Sequence, residues 1–223
     1  MKKLFIHSLA LLTAPVISAA SLGMLDFEAD EPGFFSFAEN AAGITTIQVI
    51  SGANGTDGVA TRVLSDPGSY AGGGIGDATS PFNLGNAGIL GGNVTTDVFN
   101  SISGSFDVNI PVGQSISIRL EPGNGGYNER VDLGVTVNGT GAFQNVTFDV
   151  VGADSAQKTT LVNTLNSGNV LGLKFIYAIN NQAGAVNSDF IFDNIELTSS
   201  IPEPSSALLA ACGLFTGLIR RKR

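Results

Sequence analysis

From residue 25 to residue 197 the chain repeats one pattern. Short runs rich in Val, Ile, Phe and Thr alternate apolar with polar side chains, and each run is closed by Gly, Asn, Asp or Pro. Alternation of period two puts every second side chain on one face of a strand, and turn residues between runs return the chain antiparallel. Runs at 44–50, 59–64, 102–110, 115–120, 131–137, 143–151, 171–179 and 189–197 fit, with 25–28 as a first strand. The stretch ADSAQKTTLVNTLNSG reads instead as a helix, with Asp154 or Ser155 as N-cap and Gly168 just past its end. Nine strands and one short helix predict an all-β fold, an antiparallel β-sandwich. The long glycine-rich stretch SYAGGGIGDATSPFNLGNAGILGGN reads as a surface loop, and its GGGIG lacks the spacing of a phosphate-binding motif.

Such a sandwich must stand on packing or on a metal, because the only cysteine, Cys212, lies in an apolar stretch near the C-terminus and no intrachain disulfide can form. The two ends differ from the middle. MKKLFIHSLALLTAPVISAA carries Lys2 and Lys3, an apolar run reaching Ile17, and a small-residue pattern from Ser18 to Ala20. It reads as a secretory signal peptide cleaved after Ala20, so that residues 1–20 are leader and 21–200 form the body. At the other end IPEPSSALLAACGLFTGLIRRKR is apolar over 205–219, fifteen residues. As a helix they reach roughly 22 Å, short of a bilayer's hydrocarbon core of ~30 Å. Four bases follow directly, which suits a segment whose end stays on the cytoplasmic side and disfavours a core helix.

Pro202, Glu203 and Pro204, the short apolar segment, and then Arg220, Arg221, Lys222 and Arg223 closely resemble the PEP-CTERM sorting signal of Gram-negative bacteria. That resemblance, confined to 201–223, implies processing by an exosortase-type enzyme, a membrane-held tail before processing, and delivery to the cell surface or the extracellular matrix. It gives an address and no activity.

Once leader and tail are set aside, five bases (Arg62, Arg119, Arg130, Lys158, Lys174) face eighteen acids, a formal charge of −13. A body this acidic is repelled by nucleic-acid phosphates. Within it, LDFEAD near the start, GVATRVLSD after a loop and FIFDNIEL as the last strand resemble the carbohydrate-binding-module-like jelly rolls of the galactose-binding-domain type. The resemblance implies a jelly-roll sandwich and, between its first and last strands, a structural Ca²⁺ held by Glu28 and Asp193, with Asp57 a weaker third candidate.

Asp193 poses its own question. Strict alternation places Ile191, Asp193, Ile195 and Leu197 on one face and Phe190, Phe192, Asn194 and Glu196 on the other. If the aliphatic face is the core, a buried carboxylate needs a cation or hydrogen-bond donors. Calcium ligation and capping by backbone N–H groups or water are both open. Catalysis has little material. His7, the only histidine, leaves with the leader, so the body can build neither a Ser-His-Asp triad nor a histidine metal site. A carboxylate pair of the glycosidase kind is the surviving enzymatic alternative. For sugar contact the chain has no Trp, and its phenylalanines alternate into strands. The glycan candidates are Tyr127, Asn128, Glu129 and Arg130 in EPGNGGYNER, against the plainer reading of a tyrosine packed along its loop. The expectation is an exported, non-catalytic protein, a weak glycan binder or matrix component with extracellular polysaccharide as partner.

Overall fold

The computed structural model describes residues 20–28, 34–38, 43–49, 52–63, 71–75, 94–123, 127–178 and 188–200. The sandwich expected from the alternation is what forms. Its strands are β1 (Ala20–Leu25), β2 (Phe34–Ala38), β3 (Ile44–Val49), β4 (Gly58–Val63), β5 (Ala71–Ile75), β6 (Ile102–Asn109), β7 (Ser115–Pro122), β8 (Val131–Asn138), β9 (Phe143–Asp149), β10 (Leu171–Ala178) and β11 (Ser188–Ser199). The first sheet runs β3-β4-β11-β6-β9, with β1 also on β11, and the second runs β2-β5-β10-β7-β8. All the pairings are antiparallel. Between the sheets lies an aromatic core in which Phe175 stacks on Phe192 at 4.4 Å, Phe106 meets Phe175 at 4.8 Å, and Tyr177 stacks on Phe190 at 4.1 Å.

The expected helix is α2 (Ser155–Asn166), after the five-residue α1 (Thr96–Asn100). Asp154 caps α2 by accepting from the N–H groups of Ala156 and Gln157, and Gly168 leaves it at φ +100°, where a side chain would be strained. Among the described residues no helix is long and apolar enough to cross a membrane. Apart from Ala20, which opens β1, the leader reading, Ser18 included, and the sorting-tail reading over 201–223 fall outside the described residues.

Three expectations change. Part of the glycine-rich stretch is not a surface loop: Ala71–Ile75, sequence AGGGI, is the buried strand β5. Its glycines leave room for neighbours. A Cβ on Gly72 would lie 2.5 Å from the Phe37 ring and 2.3 Å from Phe175 O, and one on Gly73 would lie 2.6 Å from both Phe34 and the Tyr177 hydroxyl. The first strand ends at Leu25 instead of spanning 25–28, because Phe27 turns to φ +59° while burying its ring. Strict alternation also fails in β11. The register with β6 shifts between Asp193 and Glu196, with Asn194 at φ +48°. The extra residue of this bulge reverses the parity. Phe190 and Phe192 before it, and Ile195 and Leu197 after it, all reach the core.

Candidate functional site

The bulge marks a change of partner. One edge of β11 pairs with β4 as far as Phe192 and with β1 from Ile195 onward, so the segments beside those two strands meet at Asp193. The loop leading into β4 folds back through Gly52 N–H donating to Thr56 O at 2.7 Å. Asn54 and Gly55 take left-handed φ of +58° and +84° at its tip. This loop delivers two donors to Asp193 Oδ2, Ala53 N–H at 2.8 Å and Thr56 Oγ1 at 3.0 Å, while Asn194 N–H reaches Oδ1 at 2.7 Å. Gly52 must be glycine here, since its Cβ would lie 2.6 Å from Asp193 Oδ2 and from Asp57 O. Asp193 is fully buried. Burial raises its pKa above the usual carboxylate range against the pull of those donors, and nearby Asp107 adds to the rise.

Glu28 joins the same neighbourhood, its Oε1 accepting Asp57 N–H at 2.9 Å. The structure thus brings Glu28, Asp57 and Asp193 to one junction, although 165 residues of chain separate the first from the last. Its donors satisfy Asp193 Oδ2 on both lone pairs and leave one lone pair on Oδ1. Among the described residues no group of three or more Asp, Glu, His or Cys side chains could hold a metal. A calcium ion here would draw on Glu28, on Asp193 Oδ1, and otherwise on carbonyl and water oxygens to reach its six to eight ligands.

The glycan candidates sit elsewhere. Tyr127–Glu129 forms a 3-10 turn leading into β8, one edge of the second sheet. Arg130 Nε pairs with Asp132 at 3.1 Å, Asn128 is exposed, and Glu129 is half-buried.

A second constellation escaped the sequence reading. In the second sheet Leu120, Phe175 and Phe34 face the core, so Arg119, Glu121, Lys174, Phe35 and Phe37 face outward. Register aligns Phe35, Gly74, Lys174, Arg119 and Asp132 in one row across the five strands. Glu121 lies between two cations, with Arg119 Nε 2.6 Å from its Oε1 and Lys174 Nζ on its Oε2. Arg119 and Glu121 side chains are only 6% and 4% exposed, although they stand on the outer face. Lys174 Nζ lies 5.9 Å from the Phe35 ring centre and 5.8 Å from that of Phe37, within cation–π range, and the two half-buried rings are 5.9 Å apart. Gly72 and Gly74 supply the flat floor on which Phe37 and Lys174 lie. The alternation in FFSFA was the available signal. By itself that alternation does not show which face is outward, because the strand it pairs with, β5, carries no alternation of its own.

No protein-family model matches the sequence, and no curated protein matches it. Solved structures do. The chain aligns over 82% of its length, at a TM-score of 0.50 and 12% identity, with the CBM22-1 and GH10 modules of Clostridium thermocellum endo-1,4-β-D-xylanase 10B complexed with xylohexaose, covering 29% of that chain. The likeness is one of fold. The family 11 carbohydrate-binding module of the same organism, in complex with a β-1,3-1,4-mixed-linked tetrasaccharide, matches over 81% of this chain and 96% of its own at 18% identity and a TM-score of 0.48. The CBM22-2 xylan-binding domain of a Paenibacillus barcinonensis protein matches over 80% and 99% at 17% identity and a TM-score of 0.47. The two antiparallel sheets therefore form a jelly-roll sandwich.

Proposed function

We propose that this protein is an exported, non-catalytic glycan-binding module whose contact surface is the outer face of the second sheet at Phe35, Phe37 and Lys174. One observation carries the reading: two partly exposed aromatic rings and a lysine share a glycine-floored strip, held in place by a buried ion pair. The C–H face of a pyranose can lie on such rings. The Lys174 ammonium has three donors, and those not spent on Glu121 can serve sugar hydroxyls. Arg119 and Glu121 position that ammonium from beneath. This replaces the Tyr127 turn as the candidate surface.

A neutral polymer suits the site better than a polyanion, because the body around it carries a charge of −13. The ligands bound in the neighbouring structures, xylohexaose and a β-1,3-1,4-mixed-linked tetrasaccharide, supply natural probes. The reading is of binding without bond cleavage. Export by the leader and surface delivery through the PEP-CTERM-like tail complete the proposal, with extracellular polysaccharide as partner and an exosortase-type enzyme as processor.

The test is affinity electrophoresis and calorimetry of the exported protein on soluble xylan and mixed-linkage β-glucan, with product analysis alongside. Binding without released sugar is expected, with Phe35→Ala and Phe37→Ala each about tenfold weaker, equivalent to about 1.4 kcal/mol. A wild-type affinity retained by the double variant, with its melting temperature unchanged, would overturn the assignment. Reducing ends released by the protein would favour the carboxylate-dependent enzyme instead.

A further inference from the structure

The two ends of the folded body meet. β1 begins and β11 ends as antiparallel neighbours, Ala20 opposite Ser199 and Ser21 opposite Thr198, partners whose Cα atoms stand about 4.5–5.5 Å apart. The same pole holds the start of β6, with Ile102 opposite Ser199, and the end of β9, with Asp149 opposite Ser103. It is firmly built. Ser200 N–H donates to Ser101 O at 3.1 Å, and the hydroxyls of Ser101 and Ser199 meet at 2.7 Å. The buried Lys158 ties the turn after β9 to α1 by donating to Val151 O at 3.0 Å and Asn100 Oδ1 at 2.9 Å. Val151 projects from this pole 63% exposed. At the other pole the turn from β6 to β7 carries Val112, 75% exposed. The eight residues of β6 span the interval, roughly 25 Å.

The sequence on either side of the described residues gives this meeting a meaning. Ile17, the end of the leader's apolar run, lies three positions before Ala20, and the apolar stretch 205–219 starts six positions after Ser199. At about 3.3 Å per residue these tethers reach roughly 10 Å and 20 Å. Both apolar stretches carry their bases at the far end, Lys2 and Lys3 on one and Arg220 to Arg223 on the other. Charge bias puts both far ends on the same side of a bilayer and the body on the opposite side. Such a chain must leave and rejoin the bilayer from one pole of its fold or stretch a tether along the whole body. The β1–β11 pairing provides the single pole.

We propose that the pole formed by Ala20, Ser199 and the Val151 turn faces the lipid bilayer while the apolar tail is attached, so that the strands stand along the membrane normal. This inference rests on reading 205–219 as a membrane-held segment. It holds the Phe35–Lys174 strip on the flank of the sandwich, open to a polymer beside the membrane, whether or not the leader has been cut. Leader removal after Ala20 takes away only the first residue pair of β1 and leaves Ser21–Leu25 on β11.

The experiment uses the full-length chain in a Cys212→Ser background, reconstituted into phosphatidylcholine–phosphatidylglycerol vesicles containing an acceptor-labelled lipid. A donor dye is placed on Val151→Cys or on Val112→Cys. Energy transfer to the bilayer several-fold stronger from position 151 than from 112 is expected. Separately, the Ser21→Cys/Thr198→Cys pair should oxidise to a disulfide in the folded protein, as its Cα partners lie in the range that the bond requires. Equal transfer from the two positions in protein that floats with the vesicles would overturn the orientation while leaving the tail reading intact. Failure to float at all would overturn both the orientation and the membrane reading of the tail. Absence of the disulfide in protein of unchanged melting temperature would overturn the shared pole.

Discussion

The outer faces of the two sheets solve the problem of meeting water in different ways. On the first sheet Ser103, Ser105 and Asp107 of β6, Thr147 of β9 and Thr198 of β11 are short and polar, and several are hydrogen-bonded across the strands. Ser103 and Thr198 hydroxyls meet at 2.9 Å, and Asp107 accepts from the amides of Asn145 at 2.9 Å and Asn194 at 3.0 Å. The result is a shallow 240 Å³ depression lined largely by hydroxyls, with little at stake in any one side chain. The second sheet does the opposite. It paves two positions with glycine, lays the Phe37 ring over one and the Lys174 stem over the other, and buries Glu121 between two cations. Taking three charges out of water is costly, and replacing such a set with apolar residues often leaves stability unharmed. The contrast teaches where to look for a ligand: the first face is solvated, while the second holds chemistry that folding alone does not require.

The sharpest way to break this comparison is Glu121→Ala. It would remove the carboxylate that lies between the buried Arg119 and the half-buried Lys174, and a loss of about 3–5 kcal/mol is expected in urea unfolding. A loss below about 1 kcal/mol would mean that water reaches the triad and that the two faces are alike. Next comes the junction of Glu28 and Asp193, where we propose a calcium ion whose side-chain ligands are the Glu28 carboxylate and Asp193 Oδ1, the rest being carbonyl and water oxygens. Stabilisation growing as RT ln(1 + [Ca²⁺]/Kd) should reach about 2.7 kcal/mol at 100 times Kd and vanish in Asp193→Ala. Melting curves that coincide in EDTA and in CaCl₂ would remove the ion and leave the hydrogen-bonded clasp as the whole explanation of Asp193.

Gly72→Ala should cost about 1–3 kcal/mol by overpacking, since the new methyl meets Phe37 and the Phe175 carbonyl, and should weaken glycan binding by tilting Phe37. Unchanged stability together with unchanged binding would show that the strip tolerates a rougher floor than the geometry implies. The smallest effect belongs to the first face. Ser103→Ala and Thr147→Ala are expected to stay within about 0.5 kcal/mol of wild type and to bind xylan as well as it does. A tenfold loss of affinity there would move the contact surface to the other sheet.

Reading the chain alone located most strands because period two and turn chemistry are local properties. The helix and its Asp154 cap were equally plain. The buried acid at position 193 was legible too, as a polar residue in an apolar run. What the sequence could not decide depended on distant partners. AGGGI carries no strand signal of its own, since glycine has no side chain to alternate. It becomes a strand because Phe37 on one side and Phe34 with Tyr177 on the other need the space. Phe35 and Phe37 face outward only because that strand exists to pair with β2. The parity of β11 reverses because a loop some 140 residues earlier delivers two donors to Asp193 and holds the bulge in place. Alternation is written residue by residue, but bulges, glycine floors and buried ion sets are chosen by what packs against them, and that is known only once the sheets are assembled.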